Sequence, residues 1–301
     1  MESQTAPATG TAVDAANLAQ ALHLTAASHP DVVAVRSVDD AVSWTWAELE
    51  ERAAKLAAGL AGLGVGHGDM VALMLTNRPE FFLCDLAALT LGAVPFSIYN
   101  TYPPDQIAFL VKDSGARVIV TEQAFLSRVL EVKRELPSLE HVLVADAPGA
   151  DAPTGTMSLA TVEGHAPAAF DVSAARAAVA PDDLATLIYT SGTTGPPKGV
   201  ELTHANLMAA ASSVEEIMDF EPGSRVISWL PAAHIAERMA NYYIPLVFGG
   251  TVTVCPDPRE IASFLPQVRP NWFFAVPRIW EKLKAGLETM LAAQEPSARL
   301  P

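Results

Sequence analysis

Between Tyr189 and Val200 the chain reads Tyr-Thr-Ser-Gly-Thr-Thr-Gly-Pro-Pro-Lys-Gly-Val. Thr190, Ser191, Thr193 and Thr194 bring rotatable hydroxyl donors. Gly192 and Gly195 permit positive φ, so successive N–H groups can converge on one anion. Lys198 adds a point charge on a flexible stem. Such a set suits the phosphates of a nucleoside triphosphate. The spacing is not that of the common P-loop, in which Ser or Thr follows the lysine, because Gly199 stands there. A flexible Ser/Thr/Gly/Pro linker is the competing reading. It fits poorly, since Leu187-Ile188-Tyr189 leads into the loop and Val200-Glu201-Leu202 leads out, a pattern of strand, turn and strand.

A second candidate lies in Leu230-Pro-Ala-Ala-His-Ile-Ala-Glu-Arg238. His234 could orient a carboxylate or line its tunnel; otherwise it only starts a helix. Glu237 and Arg238 are expected in a structural ion pair or a helix-end contact. In 271–282 the aromatic residues Trp272, Phe273 and Phe274 alternate as in a strand, and a core strand followed by a helix is the expected reading for most positions. Residues 91–102 are read as scaffold, and His204 as a helix-start residue beside Thr203.

The elements that must carry these residues alternate between helices and short apolar strands, which implies a mostly parallel α/β sheet. Thr45 and Glu48 have capping-box spacing, Leu49, Ala53, Leu56 and Leu60 form one helical face, and Gly64 can end that helix. Strands are expected over 70–75, 93–98, 117–121 and 140–145, with helices over 79–91 and 105–113. Residues 146–181, rich in Ala, Pro, Gly and Thr, read as an excursion or linker. Beyond the loop come a helix over 206–218, a strand over 226–230, a helix over 235–248, strands over 251–255 and 272–276, and an amphipathic helix from Pro277. Residues 1–16 read as a disordered leader.

Composition narrows the class. Half of the 301 residues are hydrophobic and the net charge is −15. That charge argues against nucleic acid and against electrostatic docking on anionic lipid. No apolar run reaches about 18 residues, so no transmembrane span is expected. Peripheral membrane contact stays open. Cys84 and Cys255 sit in apolar stretches and read as core filler in a reducing compartment, so the expected location is cytoplasmic.

The string YTSGTTGPPKGVELTHAN, residues 189–206, resembles the phosphate-binding signature of the adenylate-forming (AMP-binding) superfamily. Segments 229–241 and 271–282 are similar to the corresponding parts of long-chain fatty acid–CoA ligases, and 91–102 resembles an earlier superfamily motif. The resemblance implies ATP-dependent activation of a fatty acid through an acyl-adenylate to acyl-CoA, with Mg²⁺, and with coenzyme A as co-substrate. It implies that Thr190, Ser191, Gly192, Thr193, Thr194 and Gly195 hold the β- and γ-phosphates, that Lys198 assists, and that His234 stands near the substrate. The catalytic lysine of the family belongs to a C-terminal domain not found here, so no catalytic residue and no metal ligand is assigned within the chain. The implied fold is α/β, a truncated N-terminal domain of the adenylate-forming enzyme with mixed, mostly parallel sheets packed with helices. Residues 17–301 would form that partial domain. Two other readings remain: a non-catalytic remnant that binds nucleotide or acyl chain, and an adenylating enzyme that passes the acyl group to a carrier protein. A sheet interrupted at residue 301 is expected to expose apolar edges and to favour aggregation of the isolated chain.

Overall fold

The computed structural model describes residues 11–149, 151–167, 169–190, 195–215, 217–218 and 220–293. Eleven short strands are found among them: β1 Val33–Arg36, β2 Ser43–Thr45, β3 Met70–Met74, β4 Val94–Ser97, β5 Val118–Thr121, β6 His141–Val144, β7 Met157–Ser158, β8 Leu184–Thr190, β9 Lys198–Thr203, β10 Arg225–Ser228 and β11 Thr251–Val254. One sheet has the order β4-β3-β5-β6-β7 and is parallel throughout. Helices Pro79–Leu91, Pro104–Ser114 and Gln123–Glu135 make its crossovers. A second sheet runs β10-β11-β1-β2, with only β2 antiparallel. The mostly parallel α/β expectation agrees with this architecture.

Burial explains the parallel sheet. β4 and β5 are buried at every position, as strands covered on both faces must be. Helix Pro79–Leu91 is buried nearly all round, so it packs inside the molecule. Helix Trp46–Gly62 starts with the capping box: Glu48 N–H donates to Thr45 Oγ1 (3.3 Å), and Thr45 N–H donates to Glu48 Oε2 (2.8 Å). Gly64 takes a positive φ just past its end.

Several expectations need correction. Residues 146–181 are not merely a linker, because β7 adds to the parallel sheet and Leu159 and Val162 reach the core. The segment read as a leader packs from Ala12 onward: Ala12 and Ala15 join the core, and Asn17 caps helix Leu18–Ser28. Residues 272–276 form no strand. The Asn271 side-chain oxygen accepts the Arg225 N–H (2.9 Å), taking a donor that a ladder partner would use. The aromatic residues there pack elsewhere, with Phe273 stacked on Trp229 and edge-on to Trp280. Helix His204–Ser212 is shorter than expected, and the run from Ile235 to Phe248 contains a π-helical stretch, Met239–Tyr243.

Val200 on β9 and Val276, Trp280, Leu287 and Leu291 near the C-terminal end are exposed. Of these, Val200 alone lies on a strand, while Trp280, Leu287 and Leu291 belong to helix Pro277–Ala293, so they are not a sheet edge.

Candidate functional site

β8 and β9 form an antiparallel hairpin whose last registered pair is Thr190 with Lys198. Residues paired directly share a face. Thr190 and Lys198 thus present a hydroxyl and an ammonium together, both exposed, at the mouth of the loop. Ser191, Gly192, Thr193 and Thr194 lie outside the described residues. Gly195 has φ +104°, a region closed to side chains without strain, and among the described residues no atom lies within 4 Å of the place where its Cβ would stand.

One pair further in, Tyr189 faces Gly199. A Cβ at Gly199 would lie 3.3 Å from the Tyr189 ring, so the glycine leaves room for it. The Tyr189 hydroxyl donates to Asp113 Oδ2 (2.8 Å), and its ring lies 5.7 Å from Phe96. The loop is therefore tied at its root to helix Pro104–Ser114 and to β4.

A cleft of about 380 Å³ opens beside Thr190. Ile188, Tyr189 and Thr190 form one side. Ala233, His234 and Ile235 form another, and Tyr99, Thr101 and Tyr102 complete it. His234 is exposed and caps the short helix Ile235–Arg238. Its Nδ1 accepts the Ala236 N–H (3.1 Å). In the neutral ring the proton then sits on Nε2, which is left as a donor.

The cleft brings Thr190 and His234 together, and Lys198 stands across the ladder from Thr190. Tyr99, Thr101 and Tyr102 were missed when residues 91–102 were read as scaffold. The available signal was their place just past the carboxyl end of a parallel strand, where α/β sheets bind ligands. Trp272 and Phe274 do not line this cleft.

Glu237 and Arg238 do not pair with each other. Arg238 donates to Asp85 Oδ1 (2.7 Å), and both side chains are fully buried. Burial works against the guanidinium charge, yet Asp85 beside it holds its pKa above the ordinary value. Glu237 meets no cation among the described residues. It accepts from the Leu230 N–H (3.0 Å), Asn77 Nδ2 (3.2 Å) and Asn241 Nδ2 (2.7 Å). Burial pushes its carboxyl up to about 7, while Ser228, Asn241 and Leu230 pull against that. His204 is buried where the chain enters its helix, and its Nδ1 accepts the Leu18 N–H (3.2 Å). Burial takes its pKa down to about 4.

Cys84 and Cys255 are free and buried, and burial raises both thiols, Cys255 to about 12. Among the described residues no group of three His, Cys, Asp or Glu could enclose a metal ion. No helix among them is long and apolar enough to cross a membrane.

Known proteins are similar to this chain in sequence and fold. A Mycobacterium tuberculosis protein, fadD11, provisionally named a fatty-acid–CoA ligase, is 50% identical over 141 residues, which is 46% of this chain and 25% of that protein. The peroxisomal long chain acyl-CoA synthetase 6 of Arabidopsis thaliana is 32% identical over 262 residues, 83% of this chain and 36% of its own length. The chain thus spans well under half the length of these curated relatives. Among solved structures, the inhibitor-bound N-terminal domain of FACL13 from Mycobacterium tuberculosis superposes with a TM-score of 0.73 at 27% identity, covering 90% of this chain and 65% of that one. A family model described as AMP-binding enzyme matches residues 22–300, so the hairpin loop and the cleft beside it stand inside the matched region and the chain belongs to that family.

Proposed function

We propose that the cleft beside Thr190 receives ATP and a fatty acid, and that the protein to which these residues belong joins the acid to coenzyme A through an acyl-adenylate. One observation carries the reading: the phosphate-type loop root, His234 and the Tyr99–Tyr102 turn border a single cleft. A carboxylate oxygen attacks the α-phosphorus, a P–O bond breaks and pyrophosphate leaves. The coenzyme A thiol then attacks the acyl carbonyl, loses its proton and displaces AMP.

What these residues contribute is positioning and charge stabilisation. The Thr190 hydroxyl and the Lys198 ammonium face the triphosphate from adjacent strands. Ser191, Gly192, Thr193, Thr194 and Gly195 are the remaining groups assigned to the phosphates. The Nε2–H of His234 donates to the acid. Mg²⁺ would neutralise charge on the phosphate oxygens, which hold it more than a protein cage does.

The test uses the native, full-length gene product. Pyrophosphate release should require a fatty acid, ATP and Mg²⁺. Lys198→Met and Thr190→Ala should each lower the rate by about tenfold or more, the size of a lost charge-stabilising donor. No release with any fatty acid would overturn the reading. Release followed by transfer only to a carrier protein would redirect it to that acceptor.

A further inference from the structure

The Tyr99–Tyr102 turn has no ladder of its own. Its internal hydrogen bond runs from Tyr102 N–H to the Tyr99 carbonyl (3.0 Å). The carbonyls of Asn100 and Tyr102 are held by one side chain. Arg128, half-buried on helix Gln123–Glu135, donates from one terminal nitrogen to Tyr102 (2.5 Å) and from the other to Asn100 (2.8 Å). Its guanidinium also lies 5.1 Å from the Phe125 ring centroid.

The chain has 34 acidic and 19 basic residues, and Arg225, like Arg128, turns its guanidinium to backbone carbonyls, those of Val268 and Arg269. Arg78, Arg117, Arg176 and Arg238 all meet carboxylates. Arg128 forms no ion pair among the described residues, so its charge is directed at the backbone of this turn. A planar cation that grips two carbonyls two residues apart fixes the orientation of the peptides between them. Those peptides carry Tyr99, Thr101 and Tyr102 onto the cleft, with the two tyrosine rings 5.3 Å apart.

We propose that Arg128 is a positioning residue: its two-pronged grip on Asn100 and Tyr102 sets the tyrosine wall of the cleft, and that wall meets the organic part of the acid. The proposal rests on the reading that the cleft takes the acid. Arg128 touches no substrate itself. Lysine cannot replace it fully, because a single ammonium lacks the fork.

Arg128→Met and Arg128→Lys in the full-length gene product test this. Pyrophosphate release is followed against fatty acid and against ATP, alongside hydrogen exchange of segment 98–104 and the thermal midpoint. For Arg128→Met the KM for the fatty acid should rise about tenfold while kcat stays within about twofold, the mark of lost binding rather than lost chemistry. The KM for ATP should barely move, exchange in 98–104 should quicken, and Arg128→Lys should fall between. Unchanged exchange overturns the grip. Faster exchange with an unchanged KM for the acid overturns the positioning role. A common fall in every kinetic parameter with a lower midpoint also overturns it, in favour of stability alone. A wild type silent with every fatty acid overturns the functional reading instead, and the exchange measurement still decides whether the grip exists.

Discussion

Glu237 and Arg238 are chain neighbours, both buried, and they face two differently built regions. On the Arg238 side a positive charge meets a negative one: Asp85 takes the guanidinium, Tyr242 donates to the other Asp85 oxygen (3.0 Å), and Ser97, Tyr243 and the Ala232 carbonyl complete the set. On the Glu237 side a carboxyl is surrounded by amides and a hydroxyl, with no opposite charge among the described residues. The difference teaches how each region responds to insult. Paired charges fail when one partner is removed. A lone carboxyl among neutral donors fails when it ionises. Both regions hold the loop that puts His234 on the cleft: Arg238 bonds the Ala232 carbonyl, and Glu237 bonds the Leu230 N–H.

The largest expected effect breaks the charged side. Arg238→Met leaves Asp85 buried without its cation and should cost about 3–5 kcal/mol of stability, read from urea unfolding. Adding Asp85→Asn to it should restore part of that loss, because the uncompensated charge goes. A loss below about 1 kcal/mol for Arg238→Met would place the pair in contact with water and end the contrast.

The next effect belongs to the other side and shows in its pH dependence. The Glu237 carboxyl sits near 7 in the folded chain, against an ordinary 4.5. The folded state then binds more protons than the unfolded state between those values, so stability falls as pH rises from about 4.5 to about 7. Full ionisation of this one group removes about 3 kcal/mol. Glu237→Gln cannot ionise, so its stability should lack that part of the slope. The slope is the readout, since the amide also changes the donor pattern. Parallel pH profiles for wild type and Glu237→Gln would mean that Glu237 does not carry this proton.

How far the sequence foretold these regions depends on the range of the interactions. Local chemistry was legible. Thr45 and Glu48 announce a capping box, Gly64 a helix end, and β-branched runs such as Val118–Thr121 a buried strand. The loop root, Thr190 to Lys198, was legible because apolar strands bracket it. β1 was not, since four residues with two buried positions give little periodicity. The wall at Tyr99–Tyr102 was hidden because a turn gains its role from Arg128, 26 and 28 residues away, and from β8. The pairing of Arg238 with Asp85 spans 153 residues, and no spacing rule reaches that far. The ion-pair expectation had the right kind of contact for Arg238 and no counterpart for Glu237. The π-helical stretch also has no sequence signal in its residues Met-Ala-Asn-Tyr-Tyr.

The smallest effect sharpens the comparison through two matched serines. Ser97 accepts from Arg238 (3.2 Å), and Ser228 accepts from Asn77 Nδ2 (2.8 Å) while its hydroxyl helps hold the Glu237 carboxyl down. Both are buried. Ser97→Ala removes one of several guanidinium partners and should cost about 1 kcal/mol, equal at pH 5 and pH 8, since Arg238 keeps its charge throughout. Ser228→Ala should cost about the same at pH 5, where Glu237 is neutral. At pH 8 the carboxylate has lost a donor, and a hydrogen bond to a charged group is worth roughly twice a neutral one, so the loss should approach about 2 kcal/mol. Urea midpoints at the two pH values separate the outcomes. Equal losses for Ser228→Ala at both would show that its hydroxyl serves Asn77 alone, and the Glu237 region would then depend on its amides.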